Sequence, residues 1–257
     1  MRNCFVFFSF CWAFSTFFAL RAFSEALPIG GSTQIERGVF AFFHLGQKSP
    51  DFDFWVKSGQ RYKELPESDK EDFLINETIR LGSGYGQFDP KKDVLHIETI
   101  VQVHYTPPVG DQPARIFFQF PEQDDEYIPT FSYPYGHNEW VSLIVNRLAF
   151  FADISLKQEH YEVIKEKLPE PNNNYDALIT IDVRPTNADH SAPIKIGTMS
   201  QWIMIGDIAY MKCEFKSNET DSMVQLWDFV APWYAEEYKL KNLPEDLKYP
   251  HPFDLKK

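Results

Sequence analysis

A chain of 257 residues with 44% hydrophobic, 16% aromatic and 24% charged residues carries enough apolar material for a sizeable core, which excludes a disordered protein. Its formal net charge of −12 excludes the basic footprint of a nucleic-acid binder and argues against anionic lipid as a partner.

Residues 4–20 form a nearly continuous apolar run behind Arg2, and Ser24 and Ala26 stand at the spacing a signal peptidase reads. Residues 1–26 are therefore read as an export signal, cleaved after Ala26 or, as second choice, after Ser24. The rival reading is an uncleaved anchor, because the run sits at the short end of the roughly 17–25 residues that span a bilayer. Cleavage leaves Cys213 as the last of three cysteines, so an intrachain disulfide is excluded and no stable membrane insertion is expected.

Thr33 and Glu36 have capping-box spacing and start a helix whose apolar face is Ile35, Val39, Phe40, Phe42 and Phe43 and whose stop is Gly46. Ser49 as N-cap, Pro50 at the first helical position and Gly59 as terminator define a second helix. Ser68 and Glu71 open a third, which ends at Gly82. The glycines of residues 82–86 follow a helix and lead toward a strand, the wrong context for a dinucleotide loop, and are read as a linker.

Residues 93–105 are the clearest strand, with Leu95, Ile97, Thr99, Val101, Val103 and Tyr105 alternating with His96, Glu98, Gln102 and His104. Alternation resumes over 114–120 after a Pro/Gly loop, which makes a hairpin. Residues 122–126 form an acidic tip that lacks the ligand order of an EF-hand and reads as a solvated loop. Residues 127–140, dense in Tyr, Phe, Pro and Gly, read as an irregular surface loop. A strand through Val141, Leu143 and Val145 follows, with a helix from Asn138 as the alternative.

Ser155 and Gln158 then have capping-box spacing for a helix near 155–168 that carries Tyr161, Ile164 and Leu168. Residues 169–174 are the best linker and a possible sub-domain boundary. Strands are expected over 177–183, near Ile194, and over 202–205 and 208–211, the last two joined by a Gly206–Asp207 turn. Residues 223–233 read as a strand or a short helix, and a Pro-containing tail begins at Leu243.

The pattern predicts an α+β fold in a single exported domain over 27–257. N-terminal short helices pack on antiparallel sheet, either sandwich-like or a single layered sheet, with one further helix near 155–168.

Two groups of residues carry the chemistry. His96 and Glu98 are neighbours on the wet face of one strand, about 7 Å apart, and are the candidate metal ligands, with His137 or Glu139 as a further donor. His104 lies some 26 Å from His96 along the strand and cannot join them. Tyr133, Tyr135, His137 and Trp140, with Phe131, offer an aromatic platform for a glycan or peptide, weighed against rings that pin their own loop. No G-x-S-x-G occurs, and Cys213, on an alternating strand, reads as a buried inert thiol. Asn76 and Asn218 each begin an N-x-T glycosylation triplet. No cofactor signature is present. The expected function is a non-catalytic binding or structural role in the periplasm or cell envelope, with an envelope glycan, peptide or protein as partner and nucleic acid excluded. The alternative is a metal-assisted or carboxylate-based hydrolase.

Overall fold

The computed structural model describes residues 32–120, 130–168, 170–216 and 223–242. The expected export signal, the acidic tip, the Asn218 triplet and the tail lie outside the described residues.

Four helices come first, α1 (Gln34–Leu45), α2 (Phe52–Ser58), α3 (Gln60–Glu64) and α4 (Glu67–Gln87). Helix α1 begins where the capping box predicts: the Thr33 hydroxyl accepts the Glu36 N–H at 3.1 Å, and the Glu36 carboxylate accepts the Thr33 N–H at 2.8 Å. The same carboxylate receives Arg80 of α4 at 2.5 Å, so one side chain closes the start of α1 and ties it to α4. Helix α2 starts two residues later than the Ser49 signal implies, because the Asp51 carboxylate accepts the Phe54 N–H at 2.9 Å. Helix α4 does not stop at Gly82 but runs on through Gly84 and Gly86. The expected linker is helical because packing overrides propensity. Gly84 lies against Phe40, where an added Cβ would stand 3.1 Å from the ring.

The strands are β1 (Leu95–Thr106), β2 (Arg115–Gln119), β3 (Thr130–Gly136), β4 (Glu139–Asn146), β5 (Asp153–Ser155), β6 (Tyr175–Ala188), β7 (Ile194–Ile196), β8 (Met199–Lys216) and β9 (Met223–Val230). Helix α5 (Gln158–Lys167) lies between β5 and β6, and α6 (Ala235–Lys241) follows β9. All nine strands join one curled sheet in the order β3-β4-β8-β6-β1-β2-β5, with β7 and β9 also paired to β8. The sheet is mixed, since β4 and β8 run parallel while the other described pairs are antiparallel.

Strand β1 keeps the predicted faces. Leu95, Ile97, Val101, Val103 and Tyr105 are buried, whereas His96 and Glu98 are exposed and Gln102 half-buried. Strand β6 lies beside β1 in register from Leu95 opposite Val183 to Val103 opposite Tyr175, so the segments on either side of residues 169–174 share one sheet. Ser155 does not cap a helix: it sits in β5 opposite Arg115, and α5 starts at Gln158.

The expected turn at Gly206–Asp207 is instead the middle of the 18-residue strand β8. Here the strand changes neighbours, with β4 alongside up to Asp207 and β9 from Tyr210 onward. Gly206 serves packing, since an added Cβ would stand 2.4 Å from Val183 Cγ1. Cys213 is fully buried on this strand, and burial pushes its thiol up to about 12, as an inert core cysteine requires.

Helix α1 crosses the inner face of the sheet, touching β3, β4, β6 and β1. The crossing is close at Gly38, where an added Cβ would meet the Tyr133 ring at 2.3 Å. Phe42 continues the contact onto the Trp202 ring, 5.8 Å away.

Gly38→Ala is expected to destabilise the protein by about 1–3 kcal/mol, because the enclosed Tyr133 ring cannot yield to an added methyl. Gly86→Ala, in the same fold but with nothing within 4 Å, should stabilise by roughly 0.5–1 kcal/mol. Urea melts of the two variants beside the parent check both signs.

Candidate functional site

The segment expected to be an irregular aromatic loop is a hairpin. Strands β3 and β4 pair across a turn at His137 and Asn138, with Asn138 at φ 58°. Alternation along β3 sends Tyr133 and Tyr135 inward, each 7% exposed. Tyr133 lies under Gly38, and burial raises its phenol. Tyr135 packs on Phe43, Phe54 and Trp55, its hydroxyl accepts the Asp51 N–H at 2.9 Å, and burial pushes it up to about 12. Rings enclosed in this way have no free face for a ligand, so the tyrosines pin β3 to α1 and α2. His137 is exposed at the hairpin tip and Trp140 is half-buried on the opposite face of the sheet from the tyrosines, so the four predicted residues do not form one surface.

His96 and Glu98 are brought together, with a third group the sequence did not reveal. Asp182 lies opposite His96 on β6. His96 Nδ1 is 2.8 Å from the Asp182 carboxylate and Nε2 is 3.5 Å from Glu98. The hydrogen bond to Asp182, aided by the field of both carboxylates, raises the imidazole above its usual range. Among the described residues no group of three or more His, Cys, Asp or Glu side chains is arranged to hold a metal ion. His104 stacks on Phe117 with ring centroids 4.7 Å apart.

The surface that sequence reasoning missed is the outer half of β8 with its neighbours. Paired residues in a sheet share a face. The register therefore sets Ile194, Gln201 and Trp140 in one row, Ile203 beside Ser142 in the next, and Ile205 beside Ile144 in a third. Met199 and Ile196 extend the patch toward the β7–β8 turn. Ile194 is 53%, Ile196 48% and Met199 37% exposed, which is unusual for a cluster of aliphatic residues. A depression of about 380 Å³ opens beside them, lined by Asn187, Ala188, Asp189, Ile203 and Ile205, where β6 shifts register between Pro185 and Asn187. Asp189 stands at its wall as a carboxylate, held below its usual range by the Ser191 hydroxyl and N–H.

The loop bounding this depression is fastened to α1. His190 lies in the notch left by Gly46, where an added Cβ would stand 2.2 Å from Nε2, and its ring sits 3.9 Å from Phe42. His190 Nε2 is 2.9 Å from the Phe42 carbonyl, which also accepts the Gly46 N–H at 3.2 Å. The signal in the sequence was Trp202-Ile203-Met204-Ile205, apolar at every position. That pattern gives a strand two apolar faces: Trp202 and Met204 face α1, and Ile203 and Ile205 face outward.

No described helix is long and apolar enough to cross a membrane. No protein-family model, curated protein or solved structure matches the chain.

The raised His96 fixes the sign of one pH effect. A histidine whose folded pKa exceeds its unfolded one stabilises fully below about pH 6.5, and the contribution disappears as pH rises through the raised value. His96→Gln should therefore cost stability near pH 5.5, by less than about 1 kcal/mol for so exposed a pair, and cost nothing near pH 9. Denaturant melts of parent and variant at the two pH values measure the difference.

Proposed function

We propose that this chain is an exported, non-catalytic binding protein of the periplasm or cell envelope that takes a polypeptide segment on the apolar part of its outer sheet face. The observation that carries the reading is a strand with two apolar faces. One face of the 199–205 stretch is buried at Ser200 and Met204 and meets Phe42 of α1 through Trp202, and the other, with Ile194, Ile196 and Trp140, is partly open beside a depression. Soluble domains seldom leave contiguous aliphatic side chains in water, and such patches mark interaction sites. Aliphatic rows spaced as on a strand suit the alternate side chains of an extended peptide. A glycan would call for open ring faces, and Trp140, the aromatic residue in these rows, is half-buried. Export rests on the apolar run and small-residue site of residues 1–26, and N-terminal sequencing of secreted material tests it.

The binding reading is tested by panning a random peptide library against the parent and an Ile194→Ser/Ile196→Ser variant. Both residues lie on a short exposed strand, so the melting temperature should stay nearly constant. Selected peptides should lose about tenfold or more in affinity for the variant. Peptides that bind both proteins equally, or no enrichment at all, would sink the reading.

A further inference from the structure

A second hollow, of about 180 Å³, lies in the helical layer and shares no residue with the depression beside β8. Phe73, Glu77 and Leu81 recur every fourth residue on α4 and so fall on one side of it, where they line the hollow together with Trp55 and Val56 of α2 and Tyr62 of α3. Val56 and Leu81 are buried. Trp55, Tyr62 and Phe73 are half-buried, the last two with ring centroids 6.4 Å apart. The charges around these rings decide what fits between them. Glu36 and Glu77 both pair with Arg80, at 2.5 and 2.8 Å, so the carboxylates of the hollow are answered within the chain. Lys70 lies 5.6 Å over the Tyr62 ring and Arg61 5.0 Å over the Phe73 ring, and a foreign ammonium would compete with both. Lys70 has Glu67 as its partner at 2.5 Å, whereas Arg61 has no carboxylate partner among the described residues. The Trp55 indole N–H and the Tyr62 hydroxyl likewise have no hydrogen-bond partner among the described residues.

We infer that this hollow binds a small monocyclic aromatic carboxylate, its ring packed against Trp55, Tyr62 and Phe73 and its carboxylate on the Arg61 guanidinium. The size agrees. An apolar cavity of about 150 Å³ holds benzene, so a hollow of about 180 Å³ has space for one ring and little more. The polarity agrees as well, since a planar guanidinium donates two parallel hydrogen bonds to a carboxylate and stays charged throughout the physiological pH range. The site goes beyond the peptide-binding reading and stands or falls without it.

The test titrates the full-length mature chain with phenylacetate, phenylacetamide and benzylamine at millimolar concentration, three probes that share one ring and differ in the charge of the head. Calorimetry gives the affinities, and the NMR signal of the Trp55 indole N–H, assigned from Trp55→Phe, reports where the ring sits. Phenylacetate should shift that signal and bind about fivefold or more tightly than either of the other probes. Arg61→Gln, at an exposed position, should leave the melting temperature unchanged and bring phenylacetate down to the level of phenylacetamide. Arg61→Glu should turn the preference toward benzylamine. Absence of binding by all three probes overturns the site. Equal binding of the three, or a parent that prefers benzylamine, overturns the carboxylate as the ligand. A preference for phenylacetate that survives Arg61→Gln, or binding that shifts other indole signals and leaves that of Trp55 in place, overturns the assignment to this hollow.

Discussion

Everything in this fold depends on how closely α1 can approach the sheet. A helix that lies across four strands buries its apolar stripe only if a backbone position lets the strands' larger side chains slide beneath it, and Gly38 over Tyr133 is that position. With the contact made, Phe40 faces α2 and α4 through Trp55 and Tyr85, and Phe42 faces β8 and His190. Both ends of the helix are fixed by groups that do a second job. Glu36 closes the first turn and receives Arg80. Gly46 ends the last turn and makes the notch for His190. The helix is thus the point at which the N-terminal helices and the 189–193 loop become one body.

The outer face is organised by β8, whose neighbours change along its length. Where β4 runs beside it, Ile203 and Ile205 face outward between Gln201 and Asp207; where β9 takes over, the outward positions are Tyr210, Lys212 and Glu214. Tyr210 is stacked on Tyr238 of α6, with centroids 4.9 Å apart, so the charged half has its own cover at one corner. Among the described residues the aliphatic half carries no such stack. A single strand therefore gives the molecule one enclosed face and an outer face whose polarity changes at Asp207.

Local periodicity made much of this legible and register made the rest opaque. The faces of β1, the capping box of α1 and the inert setting of Cys213 follow from alternation and short-range hydrogen bonds, which the sequence contains outright. Asp182 could not be placed beside His96, since nothing in either strand states which residues lie opposite. Gly206 misled for the same reason: a glycine before an aspartate fits a turn locally, and only the nearness of Val183 shows that it is there to save space. The aromatic stretch 127–140 misled through Pro134 and Gly136, which read as loop formers. In the structure Pro134 lies in β3, the end strand of the main path, and the register between it and Gly136 is irregular, a setting that tolerates both residues.

The position of β8 along the chain has a bearing on when the protein can form. Strands β4, β6, β7 and β9 all pair with it, yet it occupies residues 199–216, so about three-quarters of the chain, β4, β6 and β7 included, emerges from the ribosome before this common partner exists. Until then β4 has only β3, and β6 has only β1, two ladders of strands with no bond between them. Contacts so distant in sequence are slow to make, because the loops they close must first be ordered. A nascent chain of this topology stays without its complete sheet for most of its synthesis, which is the condition a translocation channel that accepts only unfolded polypeptide would need.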